Sequence, residues 1–101
     1  MSLKLITCIV ELGKADKVVD AALKAGAQAA TQFAGRGRGV REKMGTLGNF
    51  IMPEKEIIYI VTKEDQAKKV FDVICSTARI EEIGKGFAYI QSVEDAAGFM
   101  D

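Results

Sequence analysis

Apolar residues fall into two kinds of segment along the chain, and the difference between them predicts the secondary structure. Four short runs rich in β-branched or aromatic residues, at residues 3–10, 28–34, 56–61 and 87–92, are typical of strands. Two longer segments carry apolar residues at intervals of three and four positions, which indicates helices with one buried face. The two helical stripes are Ala15, Val18, Val19, Ala22 and Leu23, and then Ala67, Val70, Phe71, Ile74 and Ala78.

The ends of these elements are marked by residues that start or stop helices. Gly26 follows the first stripe as a predicted C-cap. Thr62 and Asp65 form a Thr-x-x-Asp pattern that predicts the start of the second helix. A long glycine-containing loop is predicted at about residues 36–53, and the tail at residues 93–101 is predicted to form a short turn of helix.

The two halves of the chain resemble each other. Lys-Val-Val-Asp at residues 17–20 corresponds to Lys-Val-Phe-Asp at residues 69–72, each in the helix that follows a strand. Two such halves predict a single α+β domain over residues 1–101, a ferredoxin-like βαββαβ sandwich. In that fold an antiparallel four-stranded sheet carries both helices on one face. A small parallel sheet is the alternative, but it would place the long loop awkwardly.

The strands are apolar on both faces. In the first strand Leu5 and Ile9 point to one side, and Ile6, Cys8 and Val10 point to the other. Two helices cover only one face of such a sheet, so the second face would expose a large apolar patch in an isolated chain. We therefore predict a closed homo-oligomer in which the sheets face inward.

Composition narrows the range of functions. The chain has 14 basic and 14 acidic residues, and this neutral balance argues against a nucleic-acid partner. It has no histidine, so the commonest metal ligand is absent from the sequence. Cys8 and Cys75 show no metal-site spacing and are predicted to be reduced, buried thiols. The longest apolar run is too short for a membrane span, so we predict a cytoplasmic protein without membrane insertion.

Two glycine-rich segments carry the candidate binding chemistry. Glycine lets backbone N–H groups turn toward an anion, and neighbouring arginine or lysine side chains add charged donors. The candidate ligand-binding residues are Gly35, Arg36, Gly37 and Arg38 in the first segment, and Gly84, Lys85 and Gly86 in the second. The alternative interpretation is two tight turns with solvated charges.

Three segments, in this order, resemble the P-II nitrogen regulatory protein family. The first is the Lys-Leu-Ile-Thr-x-Ile-Val strand at residues 4–10. The second runs from Thr31 through the Gly-Arg-Gly-Arg segment to a long loop that ends at Pro53. The third is the Ile-Gly-Lys-Gly turn at residues 83–86, followed by Phe-Ala-Tyr-Ile. The resemblance covers essentially the whole chain and is closest to a divergent P-II-like branch.

The resemblance implies a regulator and not an enzyme. It implies a homotrimer with an adenine nucleotide (ATP, ADP or AMP) as a sensed ligand in the clefts between subunits, and no tightly bound cofactor. The long loop, which the family calls the T-loop, would dock on a target transporter or enzyme in nitrogen or carbon metabolism. Its partner-binding residues would be Arg41, Lys43, Met44, Leu47 and Phe50.

The chain departs from the family pattern at several charged positions. Phe87 stands where the family has a lysine, and no arginine follows Arg79, although the family supplies two phosphate-binding arginines from its C-terminal segment. Lys85 replaces an acidic residue, so the role of the family's residue is not inherited there. Gly39 replaces a glutamine and Glu56 replaces a basic residue, and both changes bear against 2-oxoglutarate sensing. A P-II-like trimer that has lost nucleotide binding is therefore an alternative.

Three other functions fit parts of the pattern. A small enzyme of acylphosphatase type shares the topology and uses an arginine and an asparagine on loops. Asn49 and several arginines are available, but not in the loop pattern of that family. A metal-tolerance trimer has the same general fold, but this chain has no histidine to bind soft or borderline metals. An RNA-binding sheet would stack bases on Phe87 and Tyr89. We assign no catalytic and no metal-binding residue.

Overall fold

The computed structural model describes residues 2–37 and 54–98, and it contains the six predicted elements in the predicted order. This order and the sheet described below confirm the α+β ferredoxin-like class. Neither described helix is long and apolar enough to cross a membrane. The elements are β1 (Leu3–Glu11), α1 (Ala15–Lys24), β2 (Ala29–Arg36), β3 (Glu54–Lys63), α2 (Glu64–Ala78) and β4 (Gly86–Val93).

The four strands form one sheet in the order β2-β3-β1-β4, and every pair is antiparallel. The parallel alternative is therefore wrong. β1 lies in the interior of the sheet, where Ile6 is opposite Ile60 of β3 and Ile90 of β4. β2 and β4 are the two edge strands.

Both helices pack on one face of the sheet and enclose the core. From β1, Ile6 and Cys8 are completely buried, and Ile58 and Ile60 of β3 are buried beside them. Because burying a Val or Ile side chain contributes about 1.5–3 kcal/mol, these contacts account for much of the fold's stability. The core residues of the helices are Ala15, Val18, Ala22, Ala67, Val70 and Ile74. Val18 and Val70, the equivalent residues of the two halves, are both fully buried, so the internal repeat is confirmed.

Three predicted details are wrong. Thr62 does not cap α2, because β3 continues through it. The N-cap is Lys63, which makes no side-chain cap bond. Leu23 belongs to the predicted stripe but is 45% exposed, because α1 packs along a narrower line. Residues 94–98 form no helical turn, so that part of the predicted tail helix is absent.

The N-terminus of α1 is held by a carboxylate from a distant strand. Oε1 of Glu56 in β3 accepts hydrogen bonds from the backbone N–H groups of Gly13, at 2.8 Å, and Ala15, at 3.0 Å. The N-cap residue Lys14 makes no side-chain cap bond. A negative charge at this end also interacts favourably with the helix dipole. Glu56 therefore fixes the turn between β1 and α1.

The two cysteines differ in their surroundings. Both are free thiols. Cys8 is buried, but Cys75 is only partly buried, so the expectation that both are buried is wrong for Cys75. Burial, and then the nearby Cys75, raises the pKa of Cys8 from 9.0 to about 12. Burial also raises the pKa of Cys75, with further contributions from Asp72 and Glu81. Because the thiolate is the reactive form, neither environment activates a nucleophile.

Replacing the capping carboxylate should destabilise the fold. We expect Glu56→Ala to lower the free energy of unfolding by about 1–2 kcal/mol, since two N–H groups lose a charged acceptor. Urea unfolding followed by circular dichroism measures this change. Glu94→Ala, at an exposed position after β4, is the matched control and should change stability by less than about 0.5 kcal/mol. Equal effects of the two substitutions would refute the capping role.

The cysteines should differ in their rate of alkylation. In native protein treated with iodoacetamide at about pH 8, Cys75 should react first and Cys8 only after unfolding, because exposure and thiolate content both favour Cys75. Peptide mass spectrometry gives the extent of modification at each site. A urea-unfolded sample, in which both thiols react at similar rates, is the control. Faster modification of Cys8 in native protein would contradict the burial of this residue.

Candidate functional site

The two glycine loops lie at the same end of the sheet but at opposite edges. β2 ends at Arg36, which is opposite Glu54 of β3, and β4 begins at Gly86, which is opposite Val10 of β1. β3 and β1 lie between these two edges. Three inter-strand spacings separate the loops by about 14 Å. A single chain therefore does not bring the two predicted halves of the ligand site together.

Among the described residues of the first loop, Arg36 is a well-exposed cation. Nη2 of Arg36 lies 3.2 Å from Oε2 of Glu54, and the arginine side chain is 76% exposed. A surface pair of this kind contributes little stability, and a guanidinium has five N–H donors, so Arg36 has donors left for an anion. A Cβ atom at Gly37 would meet only an ordinary contact, 3.5 Å from Cγ of Lys55. Packing against the described residues therefore does not require glycine at this position.

The second loop has a structural reason for its last glycine. Gly86 has φ +154°, and a Cβ atom there would collide with the carbonyl oxygen of Ile9. Gly86 is thus needed for β4 to approach β1, and a tight turn explains this residue. Gly84 has φ +83° and open space around it. Between them, Nζ of Lys85 lies 3.7 Å from Oε1 of Glu11, a long and weak ion pair.

Several predicted site residues lie outside the described residues. Arg38 of the first loop is one of them, and so is most of the long loop predicted at about residues 36–53. The roles proposed for these residues stay predictions. The predicted partner-binding residues concerned are Arg41, Lys43, Met44, Leu47 and Phe50.

The face of the sheet opposite the helices carries exposed aromatic rings. Phe33 and Tyr59 meet edge to face with ring centroids 5.5 Å apart, and the centroids of Phe87 and Tyr89 are 5.6 Å apart. We call these four residues the aromatic face. Thr7 of β1 lies between the two pairs and is only 3% exposed. The prediction that the sheet is apolar on both sides is confirmed, and within the described chain no element covers this side.

A groove that the sequence did not predict lies where β1 and α1 meet the end of α2 and the start of β4. We call it the basic groove, because four cationic side chains and one carboxylate line it. The groove lies between the ends of four elements, two from each half of the sequence, so no local sequence pattern predicts it. Its lining residues are Glu11, Lys14, Lys17, Thr77, Ala78, Arg79 and Lys85.

The chemistry of the described residues favours binding of anions. Exposed arginine and lysine side chains and glycine-rich turns supply N–H donors with positive charge. Among residues 2–37 and 54–98, no three His, Cys, Asp or Glu residues lie close enough together to hold a metal ion.

Comparisons with known proteins identify the family of this chain. The family model described as nitrogen regulatory protein P-II matches residues 3–99. A protein named nitrogen fixation nifHD region glnB-like protein 1, from Methanococcus maripaludis, is 30% identical over 96 residues, which are 93% of this chain and 90% of that protein.

Similarly named proteins from two other organisms give the same alignment length. The protein from Methanothermococcus thermolithotrophicus is 32% identical over 96 residues, again 93% of this chain and 90% of the relative. The protein from Methanobacterium ivanovii has the same identity and coverage. The match extends over nearly the whole chain and includes both glycine loops. The chain therefore belongs to the P-II family of nitrogen regulatory proteins.

Proposed function

We propose that this P-II protein is a regulator and not an enzyme, and that it acts as a cytoplasmic homotrimer. It senses an adenine nucleotide in clefts between subunits and controls a target protein through the segment at about residues 36–53. One observation carries the proposal. The two glycine loops lie at the same end of the sheet but at opposite edges.

The aromatic face supports self-association. Phe33, Tyr59 and Phe87 are 45%, 42% and 60% exposed on a face that neither helix covers. Contiguous apolar surface of this kind marks an interface. We assign a second and a third copy of the chain as the partners that cover this face. The central strands are also apolar on this side, as the buried interface of an oligomer requires. The number of copies comes from the family resemblance.

A closed ring of copies would also complete the ligand site. In a cyclic oligomer, one side of each subunit contacts the opposite side of its neighbour. The β2 edge of one subunit would then lie near the β4 edge of the next. Gly35, Arg36 and Gly37 of one copy and Gly84 and Lys85 of the neighbour would line one cleft. The two loops that form one cleft would then come from different subunits, so the distance of about 14 Å between the loops of one chain would not separate them.

The ligand proposed for this cleft is an adenine nucleotide. Arg36 and Lys85 provide positive charge, and within the ranges 2–37 and 54–98 each side chain makes one surface ion pair, which a phosphate can replace. Phe87 stands where the family has a lysine, which favours ADP or AMP over ATP, since the charge available for a third phosphate is smaller. The names of the relatives, which refer to nitrogen fixation, favour nitrogen over carbon metabolism.

The self-association can be tested at the aromatic face. We expect the wild-type protein to have three times the mass of one chain in light scattering, and Tyr59→Arg to dissociate it, because a charge would be buried in an apolar interface. Leu23→Arg is the matched control, since Leu23 is exposed to a similar extent, 45% against 42%, on a helix. A monomeric wild type, or a Tyr59→Arg protein of unchanged mass, would refute the interface.

The ligand can be tested by thermal shift with ATP, ADP and AMP, each with and without magnesium. A nucleotide at 100 times its Kd should stabilise by about 2.7 kcal/mol, which raises the Tm of a chain of this size by on the order of 10 °C. Arg36→Gln should weaken binding about tenfold or more, since a charge-assisted bond is lost.

Lys69→Gln is the control for this measurement. It removes one exposed positive charge in α2, away from both loops, and should leave the shift unchanged. If no adenine nucleotide raises the Tm of the trimer, the chain is a P-II protein without nucleotide sensing. An equal shift in Arg36→Gln would show that the ligand binds away from the β2 loop.

A further inference from the structure

The basic groove concentrates positive charge in a chain that has no net charge. The sequence has 14 basic and 14 acidic residues. The groove is lined by four basic side chains, Lys14, Lys17, Arg79 and Lys85, and by only one acidic side chain, Glu11. Three separate segments contribute these cations: the start of α1, the end of α2 and the loop before β4. The cluster therefore arises from the tertiary fold and not from a basic run in the sequence.

Carboxylates of the described chain neutralise these cations incompletely. Arg79 is paired with Glu82, with Nε and Oε2 2.8 Å apart. Lys85 has only the 3.7 Å contact with Glu11. Lys14 and Lys17 form no ion pair with any residue in the ranges 2–37 and 54–98. The groove thus keeps excess positive charge that an anionic ligand would balance.

Two of the lysines occupy positions that do not favour the fold. Lys14 is the N-cap of α1, and Lys17 is in its first turn. Cations at a helix N-terminus interact unfavourably with the helix dipole. The N–H groups of Gly13 and Ala15 are already bound to Glu56, so the lysine side chains, and not the helix end, supply the donors. Residues that oppose local stability are typical of functional sites.

The groove has room for a single small group. Its volume is about 30 Å³, and a site for one water needs about 10–15 Å³ on the same measure. This is room for a small group such as a phosphate, and the rest of a larger ligand would lie outside the groove. Thr77 is also a lining residue, and a threonine hydroxyl is a further hydrogen-bond donor.

We propose that the basic groove is a binding site for the phosphate group of a small ligand, separate from the cleft between subunits. Its seven described lining residues all belong to a single chain. Lys85 is the one residue that the groove shares with the proposed nucleotide cleft. The proposal does not depend on nucleotide sensing, because Lys14, Lys17 and Arg79 belong to the groove alone.

The test is a titration of the isotopically labelled full-length protein with inorganic phosphate, followed by backbone amide chemical shifts. Chloride is exchanged for phosphate at constant ionic strength, so that general screening stays the same. Saturable shifts are expected at the amides of residues 14–17 and 77–85. Lys17→Gln should raise the Kd about fivefold or more, since a charge-assisted bond is lost. It should fold normally, because Lys17 is exposed and unfavourably placed.

A control variant distinguishes phosphate in the basic groove from phosphate bound elsewhere on the protein. Lys69→Gln removes an exposed charge in α2, outside the groove, and should leave the Kd for phosphate unchanged. The proposal is overturned if the shifts do not saturate, if Lys17→Gln binds phosphate like the wild type, or if the saturable shifts fall at residues 35–37 and not at residues 14–17. The last result would place the phosphate in the cleft.

Discussion

The pairing of β1 with β3 on one side and β4 on the other is the interaction on which the rest of the molecule depends. β1 comes from the first half of the chain and both neighbours from the second half, so this pairing joins the two repeats. It leaves β1 with no free edge and with its helix-facing side chains buried. Ile6, Cys8 and Val10 meet the helices, while Thr7 on the other side is covered by its neighbours alone. The same strand therefore contributes side chains to the core on one side and lies between the two aromatic pairs on the other.

The sequence predicts those parts of the fold that depend on local patterns. All six elements, their order and the repeat centred on Val18 and Val70 are confirmed. The prediction that Thr62 caps α2 fails because a capping pattern takes account of side chains alone. In the structure Thr62 pairs with Lys4, and this ladder keeps the strand extended up to Lys63. Leu23 is a second error, because it fits the helical periodicity but is exposed. Periodicity does not determine how wide the buried face of a helix is.

The candidate site is only partly predictable, because its geometry depends on strand order. Glycine-x-glycine segments can be found in a sequence, but their placement at opposite edges of one sheet follows from the order β2-β3-β1-β4. In the sequence, Glu56 is notable only because it stands where the family pattern has a basic residue. The structure gives it a different role, since it binds the N–H of Gly13, 43 positions away. A bond of that sequence separation leaves no local pattern.

Net charge is informative about partners but not about sites. Equal numbers of acidic and basic residues argue against binding a long polyanion, because that requires a basic surface. A single phosphate group needs only the few charges within bonding distance, and four cations around one small groove meet that need. The groove forms when one chain folds, whereas the proposed cleft forms only when chains assemble. Folding of one chain therefore brings the charges of the groove together, whereas assembly of several chains brings those of the cleft together. A substitution at Lys17 tests a site formed by folding, and a substitution at Arg36 tests a site formed by assembly.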